Sequence, residues 1–219
     1  MQKADLAVGP LTKNDDRVNN AKVKFIDPAF MNFDMAFVMK KRHKTSDIRN
    51  LKDLGRQDKV KYTYVKDGAT ALYFQKSTAY SSIHRSVPTA NQVSSVKDGL
   101  RKVRESTDNE PWAFIGEQYM LEYAASREPC DLVVVVDPEV KNEEAFKGSY
   151  HLVGKPSMSS AHIDMLSDIV KQLKDNPPYP LKALYDKWWK PQCGSASSAA
   201  ISVMAILTSV IFAILLHAF

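Results

Sequence analysis

Four consecutive valines, Val133 to Val136, sit between Asp131 and Asp137 and set the strongest limit on the fold. Such a run reads as a strand buried on both faces, as in a parallel or mixed sheet covered by helices. Segments on either side alternate between strand-like and helix-like patterns. Asp5–Val8, Asn32–Met39, Lys59–Val65 and Trp112–Ile115 read as strands. Thr70–Ile83, Val93–Arg104, Glu117–Ala125, Ile163–Leu173 and Leu181–Trp189 read as helices; in the second, Val93, Val96, Leu100 and Val103 are spaced 3, 4 and 3 apart. Asp67-Gly68 and Asn176-Pro177-Pro178 break the chain between elements. The order predicts an α/β domain with a covered sheet.

The 219 residues are 44% hydrophobic and 25% charged, enough apolar material for one ordinary domain plus a greasy tail. The net charge of +5 is spread among acidic residues along the chain, which argues against nucleic acid as a partner. The densest basic run, Lys40 to Lys44, reads as a solvated turn. No apolar stretch follows Met1, so no signal peptide is expected. At the other end, Ala199 to Phe219 carry no Asp, Glu, Lys or Arg. As a helix this segment would extend about 31 Å, the length of a bilayer crossing, and a membrane helix is expected there. Cys130 and Cys193 have no metal-ligand spacing, leaving a disulfide or two free thiols open.

In α/β folds ligands sit beyond the carboxyl ends of the strands, so the strand-to-helix turns are where binding chemistry is expected. Asp67-Gly68-Ala69-Thr70 places unpaired N–H groups and a hydroxyl at a helix start, which suits an anion; Thr70 as a plain N-cap accounts for it equally. Gly116-Glu117 puts a carboxylate near another helix start, where the helix dipole already favours it. Arg17 is suited to gripping a carboxylate, and to pairing with its neighbours Asp15 and Asp16. His84, His151 and His162 show no triad or metal spacing, so no enzyme is expected, and no cofactor.

Several segments resemble the ligand-binding domain of ionotropic glutamate receptors, in order and spacing. They are ADLAVGPLT at Ala4–Thr12 followed by Arg17, YVKDGATALYFQKS at Tyr64–Ser77, EQYMLEYAASREPCD at Glu117–Asp131, and Lys187-Trp188-Trp189 with Cys193. Glu117, where another class of the family carries Asp, is closest to the AMPA and kainate types. The resemblance implies a periplasmic-binding-protein-like clamshell that binds L-glutamate or a similar amino acid. Arg17, with Thr12 and the Pro10 backbone, would grip the α-carboxylate; Glu117 would take the α-ammonium; Ala69 and Thr70 would hold the distal carboxylate. It also implies a Cys130–Cys193 disulfide, a plasma-membrane location with the binding region outside the cell, and other receptor subunits as partners.

Compared with that family, Lys40–Ser46 runs directly into Asp47–Leu54, where pore helices would intervene, and the start of lobe 1 has no counterpart. The expected organisation is a partial lobe 1 at 1–33, a complete lobe 2 at 34–148, a return segment to lobe 1 at 149–193, a linker at 194–198 and a transmembrane helix at 199–219. A chain of this kind has no pore of its own. Alternative readings are a truncated subunit that acts as an interaction partner without binding ligand, and a lipid-anchored amino-acid-binding protein, since small residues at Gly194–Ala200 before an apolar tail also suit such an anchor signal.

Overall fold

The computed structural model describes residues 4–20, 22–140, 148–175 and 180–193. Its strands form two separate sheets. One has three strands in the order β1–β7–β2: β1 (Leu6–Ala7), β2 (Lys24–Asn32) and β7 (Ser149–Gly154), with β7 antiparallel to both neighbours. The other has four strands in the order β4–β5–β3–β6: β3 (Met35–Lys40), β4 (Lys61–Thr63), β5 (Trp112–Glu117) and β6 (Leu132–Asp137). Here β4 runs parallel to β5, while β3 is antiparallel to β5 and β6, so the sheet is mixed. The chain passes from the smaller sheet to the larger at Asn32–Met35 and returns at Gly148–Ser149, giving two lobes joined by two crossings.

The larger sheet is covered on both faces, as its sequence pattern requires. Met35, Phe37 and Met39 point to one face, where they pack with Leu51 and Leu54 of α2 (Leu51–Arg56), Phe74 of α3 (Ala69–Lys76) and Ile83 of α4 (Ser81–Ser86). Ala36 and Val38 point to the other, toward Val103 of α5 (Val96–Glu105) and Leu121 of α6 (Gln118–Ala125). This is the two-residue alternation of a strand, with both sides apolar. The fully buried strand is β3, from Met35 to Met39; the four valines of β6 are half-buried at the sheet edge. Val133 and Val135 pack into one core cluster and Val134 and Val136 into the other, so both faces are covered although one edge is open.

The buried Asp137 closes the carboxyl end of β6. Its Oδ2 accepts from the Leu51 N–H at 2.9 Å, at the start of α2, and its Oδ1 from the Glu139 N–H at 3.0 Å. A carboxylate at a helix start answers both the unpaired N–H groups and the dipole. On the opposite face Gly99 of α5 is where the helix meets the sheet most closely. A Cβ there would lie 2.3 Å from a Phe114 ring carbon, and Phe114 is 1% exposed. In an open helix, glycine to alanine gains about 1 kcal/mol. Here Gly99→Ala is expected to lose about 1–3 kcal/mol by overpacking, read as a lower denaturation midpoint with unchanged slope.

The three-stranded sheet carries α7 (Ser160–Asp175) against β2, and α8 (Pro180–Trp188) follows. A short helix α1 (Asp15–Asn19) is capped by Asn14, whose Oδ1 accepts from the Arg17 N–H. A disulfide joins Cys130 to Cys193, Cα to Cα 5.5 Å.

The structure corrects the expectation of a membrane anchor. Residues 199–219, expected to form it, and the linker before them lie outside the described residues, as does the Asn176-Pro177-Pro178 breaker. Among the described residues no helix is long and apolar enough to cross a membrane. The longest, α7, has 16 residues and bears Asp164, Asp168, Lys171, Lys174 and Asp175. At ~1.5 Å per residue it extends roughly 24 Å, short of the ~30 Å hydrocarbon core even without those charges. The membrane helix, the membrane as a partner and the plasma-membrane location are therefore withdrawn.

Candidate functional site

β5 ends at Glu117, which is also the residue from which α6 starts, so the sheet presents this carboxylate at the carboxyl end of a central strand. Met35, the first residue of β3, lies directly opposite it, and the Gln118 N–H donates to the Asp34 carbonyl at 3.0 Å to hold the helix start in place. On the neighbouring strand, β4 continues into a turn at Val65–Gly68. Asp67 takes a left-handed conformation there (φ 57°), which aspartate tolerates better than most residues. Gly68 then becomes the N-cap of α3 and offers no side-chain cap. The first-turn N–H groups, which a helix cannot satisfy by itself, are left at Ala69 and Thr70.

These two turns line one cleft of about 190 Å³. Pro10 from the other lobe, Ala69, Thr70 and Glu117 contribute to its wall, with Phe114 and Met120 as apolar surface. Thr70 is buried, with its hydroxyl 4.0 Å from the Met35 sulfur. The structure thus brings four of the six sequence-predicted binding residues to one place.

Thr12 and Arg17 stand beside that cleft. Thr12 Oγ1 donates to Glu117 Oε1 at 3.1 Å across the two lobes, and Arg17 Nη1 donates to the Thr12 carbonyl at 2.8 Å. Arg17 reaches Glu117 as a nearby positive charge, with no ion pair between them among the described residues. A residue that sequence reasoning missed completes the arrangement. Tyr150 of β7 forms a bridge with Thr12, packs against Phe33 with the rings tilted by 34° and their centroids 4.6 Å apart, and donates its hydroxyl to Glu117 Oε2. Its signal was faint: one tyrosine in the short alternating segment Ser149–Gly154, beyond the reach of any motif.

The electrostatics follow from burial. Burial pushes the Glu117 carboxyl above its ordinary 4.5, and the hydrogen bonds from Tyr150 and Thr12, with the Arg17 charge, pull part of that back. The Tyr150 phenol is pushed up as well, by burial first and then by the negative Glu117 beside it. A half-buried carboxylate held by two neutral hydroxyls is a place where an incoming cation gains a charge-assisted contact.

No family model matches the chain. It is similar to known glutamate receptors. Over 163 residues it is 28% identical to the ionotropic kainate glutamate receptor glr-3 of Caenorhabditis elegans, covering 71% of this chain and 17% of that protein. A glutamate receptor of Lymnaea stagnalis is 28% identical over 168 residues, 74% of this chain and 17% of the receptor. The rat ionotropic glutamate receptor kainate 1 is 28% identical over 167 residues, 72% and 16% of the two chains. The chain therefore spans about a sixth of the length of the curated relatives it matches. The link to glutamate-receptor-like ligand-binding domains is distant, and it is to receptors rather than enzymes. The relatives are receptors, and among the described residues no group of three or more His, Cys, Asp or Glu could hold a metal.

One arrangement deserves comparison with a catalytic triad. His43 Nδ1 lies 3.4 Å from Ser106 Oγ and its Nε2 3.0 Å from Asp108 Oδ1. The Ser106 hydroxyl is buried and donates to the Val103 carbonyl at 2.7 Å, so its proton is committed to a helix end and its oxygen is closed to a substrate. The cluster fastens the Lys41–His43 turn to the end of α5.

Proposed function

We propose that the chain binds a free amino acid in the cleft between its lobes, glutamate above others, as part of a receptor-like protein. The observation that carries this reading is Glu117: half-buried, reached by hydroxyls from the other lobe, and without an ion pair among the described residues. An α-ammonium supplies the missing positive charge. A distal carboxylate fits the open start of α3, where the N–H groups of Ala69 and Thr70 and the Thr70 hydroxyl meet the cleft. Arg17, beside Thr12 and Pro10, is the group for the α-carboxylate. The two sheets support a division into a partial lobe at 1–33 with its return at 149–193, and a full lobe at 34–148. Similarity to glutamate receptors supports the same assignment.

Titration calorimetry with glutamate and with glycine tests the reading. Glutamate is expected to bind more tightly, because glycine has no group for the α3 end. Thr70→Ala removes one charge-assisted hydrogen bond, worth about 1.5–3 kcal/mol, so it is expected to weaken glutamate by roughly tenfold or more and leave glycine unchanged. Equal loss for both ligands would move the distal carboxylate elsewhere. Absence of heat with either amino acid would remove the ligand-binding reading altogether.

A further inference from the structure

A second cleft, of about 390 Å³, lies between α6 and the end of α8, lined by Glu122, Tyr185, Asp186, Trp189 and Lys190 among others. Its aromatic wall is continuous. Tyr185 and Trp189 are stacked at 5.2 Å with 14° between their planes, and Tyr119 meets Tyr185 edge-on at 5.6 Å. The Trp189 indole N–H donates to the Tyr119 carbonyl at 3.3 Å, which fixes the wall against α6. The chain already places one cation on this cluster: the Arg127 guanidinium lies 4.2 Å over the ring of Tyr123, itself edge-on to Trp189.

Glu122 gives the cleft an acidic side. Glu122 Oε1 accepts from Gln118 Nε2 at 2.7 Å, and the carboxylate has no ion pair among the described residues. Burial and then the Glu122 charge push up the phenols of both Tyr119 and Tyr185. Lys190 also lines the cleft and is exposed at its rim.

We infer that this cleft binds a small quaternary ammonium ion, seated against the stacked Tyr185–Trp189 pair and compensated by Glu122. Aromatic faces attract a cation through their quadrupoles, and a quaternary head needs no hydrogen-bond acceptors of its own. A primary amine would need several acceptors in fixed directions, and Glu122 already gives one oxygen to Gln118. The site is separate from the amino-acid cleft and does not depend on it.

Choline is the probe, with tryptophan fluorescence and calorimetry on the whole protein as readouts and sodium chloride at equal ionic strength as control. A saturable response to choline and none to sodium is expected. Tyr185→Leu is expected to weaken it by roughly threefold to thirtyfold, the range of a desolvated cation–π contact, while Tyr185→Phe keeps the ring and stays within about twofold. Glu122→Gln retains a side chain of the same shape and is expected to cost roughly threefold or more. Glu117→Gln is expected to leave choline binding unchanged, which separates this cleft from the other. No saturable response, equal response to sodium, loss with Glu117→Gln, or tighter binding of a primary amine such as ethylamine would each overturn the assignment. Circular dichroism of each variant distinguishes loss of the site from loss of the fold.

Discussion

Glu117→Gln is expected to weaken glutamate binding by more than tenfold while leaving the folded protein at least as stable as before. Gln has the size of Glu and keeps one oxygen to accept from Thr12 or Tyr150, whose hydroxyls reach Glu117 from the other lobe. What it loses is the charge. A charge-assisted hydrogen bond to an ammonium contributes about 1.5–3 kcal/mol, a factor of roughly ten to a hundred in affinity. The folded chain does not need that charge, since burial holds the carboxyl above its ordinary value and ionising it inside the protein is unfavourable. Calorimetry for binding and urea denaturation for stability give the two readouts. A variant that unfolds but binds normally when folded would assign Glu117 to structure rather than to the ligand.

Acid gives an independent check of the same group. Because the folded-state value of Glu117 is raised, its contribution to stability is fully present below 4.5 and is lost as pH rises through the higher folded value. Ligand binding runs the other way, as the ammonium requires the carboxylate, so affinity is expected to fall as pH drops into the window just above 4.5. His151 opposes Glu117 in the stability ledger. Burial lowers it below 6.5, so the stability of its neutral form is present above 6.5 and lost as pH falls through the lowered value. Stability against pH therefore mixes two opposed slopes. Affinity against pH isolates Glu117, and the Gln variant is expected to abolish the fall.

The sequence made the larger sheet and its helices legible because their patterns are strong and local. It overstated the valine run: Val133 to Val136 read as a strand buried on both faces, yet β6 has one neighbour and its valines are half-buried, whereas β3 lies between β5 and β6. Position within a sheet is a property of pairing, and pairing is not written in a strand's own residues. Thr70–Ile83 read as one helix, whereas the chain breaks after Lys76: Ser77 is extended and its hydroxyl accepts from the Tyr80 N–H at 3.1 Å. A local side-chain bond thus outcompeted the helix. Strand β2 was hidden by Pro28, and its pairing with β7 shifts register between Ile26 and Met31. With β2 and β7 unseen, Tyr150 could not be placed beside Glu117. Four predicted residues meet at the cleft because each is near a turn, where short-range chemistry speaks plainly; the contribution from the return strand depends on a fold-wide contact.

Reduction of the Cys130–Cys193 bond, or its replacement by Ala at both positions, is expected to destabilise the protein by about 4 kcal/mol, since it releases a loop with a sequence separation of 63 residues. The loss should appear first at α8. Apart from the disulfide, the end of that helix is held to α6 and its following turn by non-covalent contacts, among them Trp189 Nε1 to the Tyr119 carbonyl, Arg127 Nη2 to the Trp188 carbonyl, the Gln192 N–H to the Ser126 carbonyl at 2.8 Å, and the edge-on rings of Tyr119 with Tyr185 and Tyr123 with Trp189. Each such bond contributes about 1 kcal/mol net, and Leu184 and Trp188 remain 50% and 60% exposed, so little buried area replaces the lost covalent link. Tryptophan fluorescence, which Trp189 shares with Trp112 and Trp188, is expected to shift to the red on reduction at denaturant concentrations where the larger sheet, followed by far-ultraviolet circular dichroism, is still intact. The aromatic wall between α6 and α8 would open with it, so choline binding should be lost under reducing conditions while glutamate binding persists. Coincident loss of both signals at one denaturant concentration would show instead that α8 and the larger sheet unfold as a single cooperative unit.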